Sequence, residues 1–161
     1  MTGAADALPE GAQVVHLTGR GKDEAVRAAV EAAGLSDRWH VIDYLTTMED
    51  ALAVADLVVC RSGAGTVAEM EALGLPCMYV PLPIGNGEQR LNAADHVAAG
   101  GAQLIDDKDF TADFVRRNVF PLLGSARLED MAAASQSLGR AGAARALADL
   151  ALEQVKEAGH E

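Results

Sequence analysis

Two short stretches hold the residue types that could do chemistry. The first is Arg61-Ser62-Gly63-Ala64-Gly65-Thr66-Val67-Ala68-Glu69. It follows the apolar run Asp56-Leu57-Val58-Val59-Cys60 and opens a helical pattern. A buried strand thus delivers a loop of small residues to a helix N-terminus. Gly63 and Gly65 let the backbone turn sharply and let a ligand come close. The first helical turn leaves N–H groups unpaired and carries partial positive charge. That setting suits a phosphate or diphosphate. The pattern has neither the lysine of a P-loop nor the spacing of the dinucleotide GxGxxG. The expected ligand is a phosphorylated small molecule. A second reading stays open: Thr66-Val67-Ala68-Glu69 also fits the S/T-x-x-E capping box, in which Thr66 and Glu69 only close the helix end.

The second stretch is Pro81-Leu82-Pro83-Ile84-Gly85-Asn86-Gly87-Glu88-Gln89-Arg90-Leu91-Asn92-Ala93. Prolines and glycines hold it in a fixed irregular path. Glu88, Gln89 and Asn92 then open a helix, where spacings of three and four place them near one face. A carboxylate beside amides suits sugar hydroxyls, which both donate and accept. Taken alone, these could equally be solvated polar residues of a helix start.

The elements that must position these loops alternate along the chain. Strand-like runs cover 13–17, 39–43, 57–60, 77–80 and 102–105. Helical patterns cover 23–33, 48–55, 65–73 and 88–99, and Gly34, Gly74 and Gly100-Gly101 follow three of them. From Phe110 onward the pattern is helical, with breaks near Pro121–Gly124 and at Gly139. Short apolar strands separated by helices predict an α/β fold: a Rossmann-like parallel sheet covered by helices on both faces. In such sheets ligands bind beyond the carboxyl ends of the strands. The unusual loops at 18–22, 43–47, 61–66 and 81–92 all fall there. A single domain over 1–161 is expected, with a core over 13–138 and a terminal amphipathic helix over 139–157. Ala4 to Leu8 reads as a helical remnant before the first strand. A nucleotide-binding domain of this type usually opens with a strand and a glycine-rich loop, so the chain is expected to be a fragment or a half.

Bulk composition narrows the partners. Thirteen Lys and Arg stand against 24 Asp and Glu, a net charge of −11. Nucleic acid needs a basic face, so none is expected as a partner. Direct adhesion to anionic lipid is disfavoured for the same reason. An anionic ligand must therefore be held locally, by backbone N–H groups and a few basic residues. Cys60 and Cys77 lie in apolar runs, where thiols act as small hydrophobes. They form neither a disulfide framework nor a zinc spacing, and a reducing cytosol is the expected compartment. No signal peptide and no membrane-spanning run is visible, and no cofactor or metal is expected.

Taken together, the motifs resemble those of the MurG-type N-acetylglucosaminyltransferases, specifically their C-terminal half. The resemblance runs from about Val14 to about Leu152. It rests on His16-Leu17-Thr18-Gly19-Arg20-Gly21, on Arg61 to Glu69, on Gly74-Leu75-Pro76, and on Gln89-x-x-Asn92-Ala93. It implies one half of a GT-B fold that binds UDP-N-acetylglucosamine. The complete enzyme of that family is an inverting transferase that converts lipid I to lipid II in peptidoglycan synthesis. The resemblance also implies roles. Ser62, Gly63, Ala64, Gly65 and Thr66 would face the diphosphate. Glu69 would accept from the ribose hydroxyls. Leu45, beside Tyr44, would meet the uracil through its backbone. Glu88 and Gln89 would read the sugar, with Asn92 supporting that loop. Arg61 would offset diphosphate charge or pair with a nearby carboxylate.

This chain departs from the family where Glu88-Gln89 replaces a frequent pair of glutamines, since a carboxylate only accepts. It also lacks the acceptor-binding N-terminal half, the base expected there, and the first strand and glycine-rich loop of the donor half. No catalytic residue is assigned within it, and none of His16, His40, His96 or His160 is assigned as the base. The implied partners are UDP-N-acetylglucosamine, the N-terminal half and, through that half, a lipid-linked acceptor. The implied location is cytoplasmic, peripheral at the inner face of the membrane. Three rival readings are a subunit of a split two-chain glycosyltransferase, an epimerase or hydrolase half with Glu88 as its visible acid–base candidate, and a non-catalytic nucleotide-sugar-binding module.

Overall fold

The computed structural model describes residues 1–139. The helix expected over 139–157 lies outside the described residues, apart from Gly139. A short 3₁₀ helix, Thr2–Ala7, precedes strand β1 (Val14–Leu17), helix α1 (Glu24–Ala32), β2 (Trp39–Ile42) and α2 (Met48–Ala53). Then follow β3 (Val58–Cys60), α3 (Ala64–Leu73), β4 (Cys77–Tyr79), α4 (Glu88–Asn92), α5 (Ala94–Ala98) and β5 (Ala102–Leu104). The last described part is α6 (Ala112–Phe114), running on through a π-helical turn at Val115–Val119 and a 3₁₀ turn at Phe120–Leu122, and then α7 (Ala126–Leu138).

All strand pairings are parallel, but the strands form two hydrogen-bonded groups rather than one. β1 pairs β2, with Val14 opposite Trp39 and Leu17 opposite Ile42. β3, β4 and β5 form the second group, with Val58 opposite Cys77 and Cys77 opposite Ala102. The single sheet expected from the sequence is thus divided between β1 and β3. The helix expected over 88–99 is also two short helices, with a turn at Ala93.

Alternation along β4 sends its side chains to opposite faces. Met78 enters a core with Val30, Trp39, Val41, Val115 and Phe120. Cys77 and Tyr79 enter a core with Leu52, Val67, Met70 and Ala93. So α1 and the 110–122 region cover one face, while α2, α3 and the start of α5 cover the other. This two-sided cover is why the buried strands read as apolar runs.

α3 stops where the sequence says it should. Gly74 is left-handed, with φ 67° and ψ 30°. Its N–H reaches Glu71 O at 3.2 Å and the Leu75 N–H reaches Met70 O at 2.9 Å, closing the orphan carbonyls of the last turn. A buried polar chain then fastens α7 to this layer. Tyr79 Oη lies 2.9 Å from His96 Nδ1, and His96 Nε2 lies 2.6 Å from Ser135 Oγ. Ser135 Oγ in turn reaches the carbonyls of Leu75 and Gly101, each at 3.2 Å.

Candidate functional site

The loop after β3 leads into α3 through Gly63, whose extended backbone (φ −64°, ψ 149°) makes it the N-cap. Glycine offers no capping side chain, and the helix start has no side-chain cap bond. The first intrahelical bond runs from Val67 N–H to Gly63 O at 2.9 Å. The amides of Ala64, Gly65 and Thr66 therefore precede it, with no helical acceptor of their own. The capping-box reading is overturned here: Thr66 is the third residue of α3, one turn too far along to cap it. Neither Gly63 nor Gly65 has a positive φ, so the sharp-turn reading of these glycines fails as well. A Cβ at Gly65 would meet nothing within 4 Å. The space above this residue is open, which suits the close approach of a ligand.

Ser62 precedes this cap and is wholly buried. Its Oγ is the one buried side-chain polar atom among the described residues without a hydrogen-bond partner. Thr66 is half-buried and Glu69, one turn on, is exposed.

The loop after β4 is fastened to the loop after β3. Asn92 Nδ2 donates to Ser62 O at 3.1 Å. Arg61 donates to the carbonyls of Val80 and Pro81 at 3.0 and 3.2 Å, and pairs with Asp107 at 2.6 Å. Of the two roles the sequence allowed Arg61, the structure displays the pairing with a carboxylate. Gln89 Oε1 accepts from the Leu82 N–H at 3.0 Å, which leaves its amide N–H₂ to donate outward. Glu88 is exposed in the first turn of α4, after the left-handed Gly87. Arg90 pairs with Asp106 on the same side of the loop.

The loops after β1 and β2 form a second cluster. The Arg20 guanidinium carbon lies 4.0 Å over the Tyr44 ring, a cation–π contact. The Tyr44 N–H is held by Asp43 Oδ1 at 2.8 Å. Leu45 beside it is half-buried. The structure therefore gathers Arg61, Ser62–Thr66, Gln89 and Asn92 into one cluster, and Tyr44 and Leu45 into the other.

Sequence reasoning missed Arg20 and Asp107. Arg20 had a signal, as a lone cation between two glycines after a strand. Asp107 had none, because it meets Arg61 only through the fold.

The described histidines have their hydrogen-bond partners outside these loops. His16 Nδ1 faces Trp39 Nε1 at 3.3 Å, His40 Nε2 faces Gln13 at 2.9 Å, and His96 is buried. His160 lies outside the described residues. Two surface hollows of about 410 and 400 Å³ lie elsewhere, against α7 and against α1. The candidate site lies in the loops that follow β1, β2, β3 and β4. No helix among the described residues is long and apolar enough to cross a membrane.

The glycosyltransferase family 28 C-terminal domain matches residues 1–147. The chain belongs to this family. Among curated relatives, the UDP-N-acetylglucosamine–N-acetylmuramyl-(pentapeptide) pyrophosphoryl-undecaprenol N-acetylglucosamine transferase of Paenarthrobacter aurescens is 47% identical over 146 residues, covering 90% of this chain and 39% of the relative. The protein of the same name from Mycolicibacterium smegmatis is 54% identical over 118 residues, covering 73% of this chain and 31% of the relative. The crystal structure of Acinetobacter baumannii MurG superposes with a TM-score of 0.84 at 27% identity, over 93% of this chain and 43% of that one. The glycosyltransferase VinC shares the fold at a TM-score of 0.65 and 20% identity, over 87% of this chain and 32% of that one. This family 28 domain spans about two fifths of the length of the first of these relatives.

Proposed function

We propose that residues 1–161 form the donor-binding domain of an inverting N-acetylglucosaminyltransferase that converts lipid I to lipid II. The observation that carries this reading is the uncapped start of α3, with open space over Gly65, tied through Asn92 and Ser62 to the Glu88–Gln89 turn. The diphosphate of UDP-N-acetylglucosamine lies against the amides of Ala64, Gly65 and Thr66. Glu69 accepts from the ribose diol. The uracil meets the Tyr44–Leu45 backbone, and Glu88 and Gln89 read the sugar hydroxyls.

The reaction is a direct displacement at the anomeric carbon. A hydroxyl of the muramoyl sugar attacks from one face while UDP leaves from the other. Charge growing on the leaving diphosphate is met by backbone N–H groups already in place, the preorganised kind of stabilisation that contributes most to many enzymes. The base that removes the acceptor proton belongs to the acceptor-binding half. That half also brings the lipid-linked acceptor and the contact with the inner face of the membrane.

Calorimetric titration tests this. UDP-N-acetylglucosamine should bind more tightly than UDP-glucose, and UDP more tightly than ADP. Binding indifferent to base and sugar would overturn the reading. The chain alone, given donor and lipid acceptor, should yield no product.

A further inference from the structure

The turn after β1 uses two glycines to present one cation. Gly19 and Gly21 are left-handed, with φ 86° and 68°, a region that residues with a Cβ seldom enter. Lys22 N–H closes the turn on Gly19 O at 3.1 Å, and Arg20 stands at its tip. The chain entering the turn is anchored to β2, because Thr18 N–H bonds Ile42 O at 3.0 Å. Arg20 is thereby brought over the exposed Tyr44 ring, its guanidinium carbon 4.0 Å from the centroid. It pairs with no carboxylate among the described residues, in a chain that holds 24 Asp and Glu. Arg61 and Arg90, at the loops after β3 and β4, are taken by Asp107 and Asp106.

The backbone beside Arg20 is short of a donor. Tyr44 N–H is held by Asp43 Oδ1 at 2.8 Å. Leu45 N–H and C=O have no partner among the described residues. Uracil presents two keto oxygens on either side of one N–H, so its edge calls for two donors and one acceptor. Leu45 can supply one donor and the acceptor. Tyr44 N–H cannot supply the second donor while Asp43 holds it. A guanidinium is a donor alone, with five N–H groups in a fixed fork. Arg20 lies next to this backbone, over the ring of the residue whose amide is spoken for.

We propose that Arg20 reads the base of the donor, supplying the second hydrogen-bond donor that the uracil edge requires. This rests on the donor-binding reading above and adds to it a residue that sets the choice of base. Leu45 takes the uracil N–H and one keto oxygen, and Arg20 takes the other. The Tyr44 ring holds the guanidinium near its place by a cation–π contact. Such a contact is weak at an exposed site, so the side chain is able to adjust to the ligand. A donor-only group also discriminates. It accepts a keto oxygen and rejects an amino group in the same position, since two donors would then face each other unpaired.

Calorimetry with base analogues tests this. The full chain and its Arg20→Met variant are titrated with UDP, 2-thio-UDP and 4-thio-UDP. Methionine keeps a long stem over Tyr44 but has no N–H, and each thio ligand weakens one of the two acceptors. Arg20 is exposed, so the thermal melts of the two proteins should nearly coincide. UDP affinity should fall by about tenfold in Arg20→Met, as expected for a lost hydrogen bond from a charged group. One thio ligand, altered at the oxygen that Arg20 meets, should lose only about twofold on the same substitution, because the two changes are coupled. The other should lose as much as UDP. Equal losses for all three ligands would overturn the proposal and put Arg20 on the diphosphate. Unchanged or raised UDP affinity in Arg20→Met would overturn it too. A chain that does not prefer UDP to ADP overturns the donor reading and this proposal together. A chain that prefers UDP but shows no coupling at Arg20 overturns this proposal alone.

Discussion

The side-chain amide of Asn92 donates to the backbone carbonyl of Ser62 at 3.1 Å, across 30 residues of sequence. This bond joins the turn that would read the sugar to the loop that would hold the diphosphate. Replacing Asn92 with Ala leaves the buried Ser62 carbonyl without this donor, at about 1–3 kcal/mol of stability. It should also free the two loops to move apart. We expect affinity for UDP-N-acetylglucosamine to fall by about fivefold to tenfold, since each 1.4 kcal/mol is tenfold. Affinity for UDP should fall less. Calorimetry on both ligands, with a thermal melt, checks this. Equal losses for the two ligands would mean that Asn92 does not align the sugar turn.

Gly65 separates binding from folding. It is in α3 with an ordinary backbone, and an added Cβ would meet no atom within 4 Å. Gly65→Ala should keep the fold and raise its stability by about 0.5–1 kcal/mol, since alanine is the better helix residue. The same methyl would occupy the space that a diphosphate needs. UDP binding should drop by about tenfold or more, with an unchanged or higher melting temperature. Undiminished UDP binding would place the diphosphate elsewhere.

Much of this fold was legible because apolar runs and glycine stops are local signals. Val58–Cys60, Cys77–Tyr79 and the stop at Gly74 fall where the pattern put them. What was not legible depends on partners distant in sequence. The division of the sheet is one case, because Val14–Leu17 and Val58–Cys60 declare that they are strands but not which strands flank them. Thr66–Glu69 illustrates the limit of a motif. The spacing of a capping box is present, but the helix starts earlier, at Ala64, where Gly63 sets the extended cap. Arg61 was legible as a cation beside the small-residue loop after β3, whereas its partner Asp107 becomes visible only once β5 lies beside β4.

Gly101 is held to glycine by packing rather than by its backbone angles. A Cβ there would lie 2.5 Å from Ser135 Oγ and 2.6 Å from the His96 ring, both buried. These atoms belong to the polar chain that fastens α7, so neither can retreat without breaking a bond. Gly101→Ala should cost about 1–3 kcal/mol, the usual range for overpacking a filled interior. Gly100→Ala is not a clean control, because Gly100 has φ 88°. Gly65→Ala is cleaner, since its added Cβ meets nothing within 4 Å and its φ is not positive. Urea unfolding of the two variants should separate them, and equal midpoints would refute the clash.

The same polar chain gives stability a pH dependence. His96 is fully buried between Tyr79 Oη and Ser135 Oγ, and burial lowers its pKa from the ordinary histidine value. Burial likewise pushes the Tyr79 phenol above its usual range, so it remains a neutral donor. A neutral imidazole suits both neighbours. It donates from Nε2 to Ser135, whose hydroxyl passes its own proton to a carbonyl, and it accepts from Tyr79 at Nδ1. Protonation would leave two donors facing each other at Nδ1.

Because the folded pKa lies below the unfolded one, the unfolded chain binds the proton first as pH falls. The contribution is fully present above about pH 6.5, the unfolded value. It is lost as pH drops below that value toward the folded pKa, by at most about 1.4 kcal/mol per pH unit for one proton. His16 shifts the same way, chiefly through burial, so the test is a difference. The urea midpoint should fall between pH 7.5 and 5.5 in the unaltered chain, and fall less in His96→Gln. Equal slopes in the two proteins would mean that His96 takes no part in the acid loss of stability.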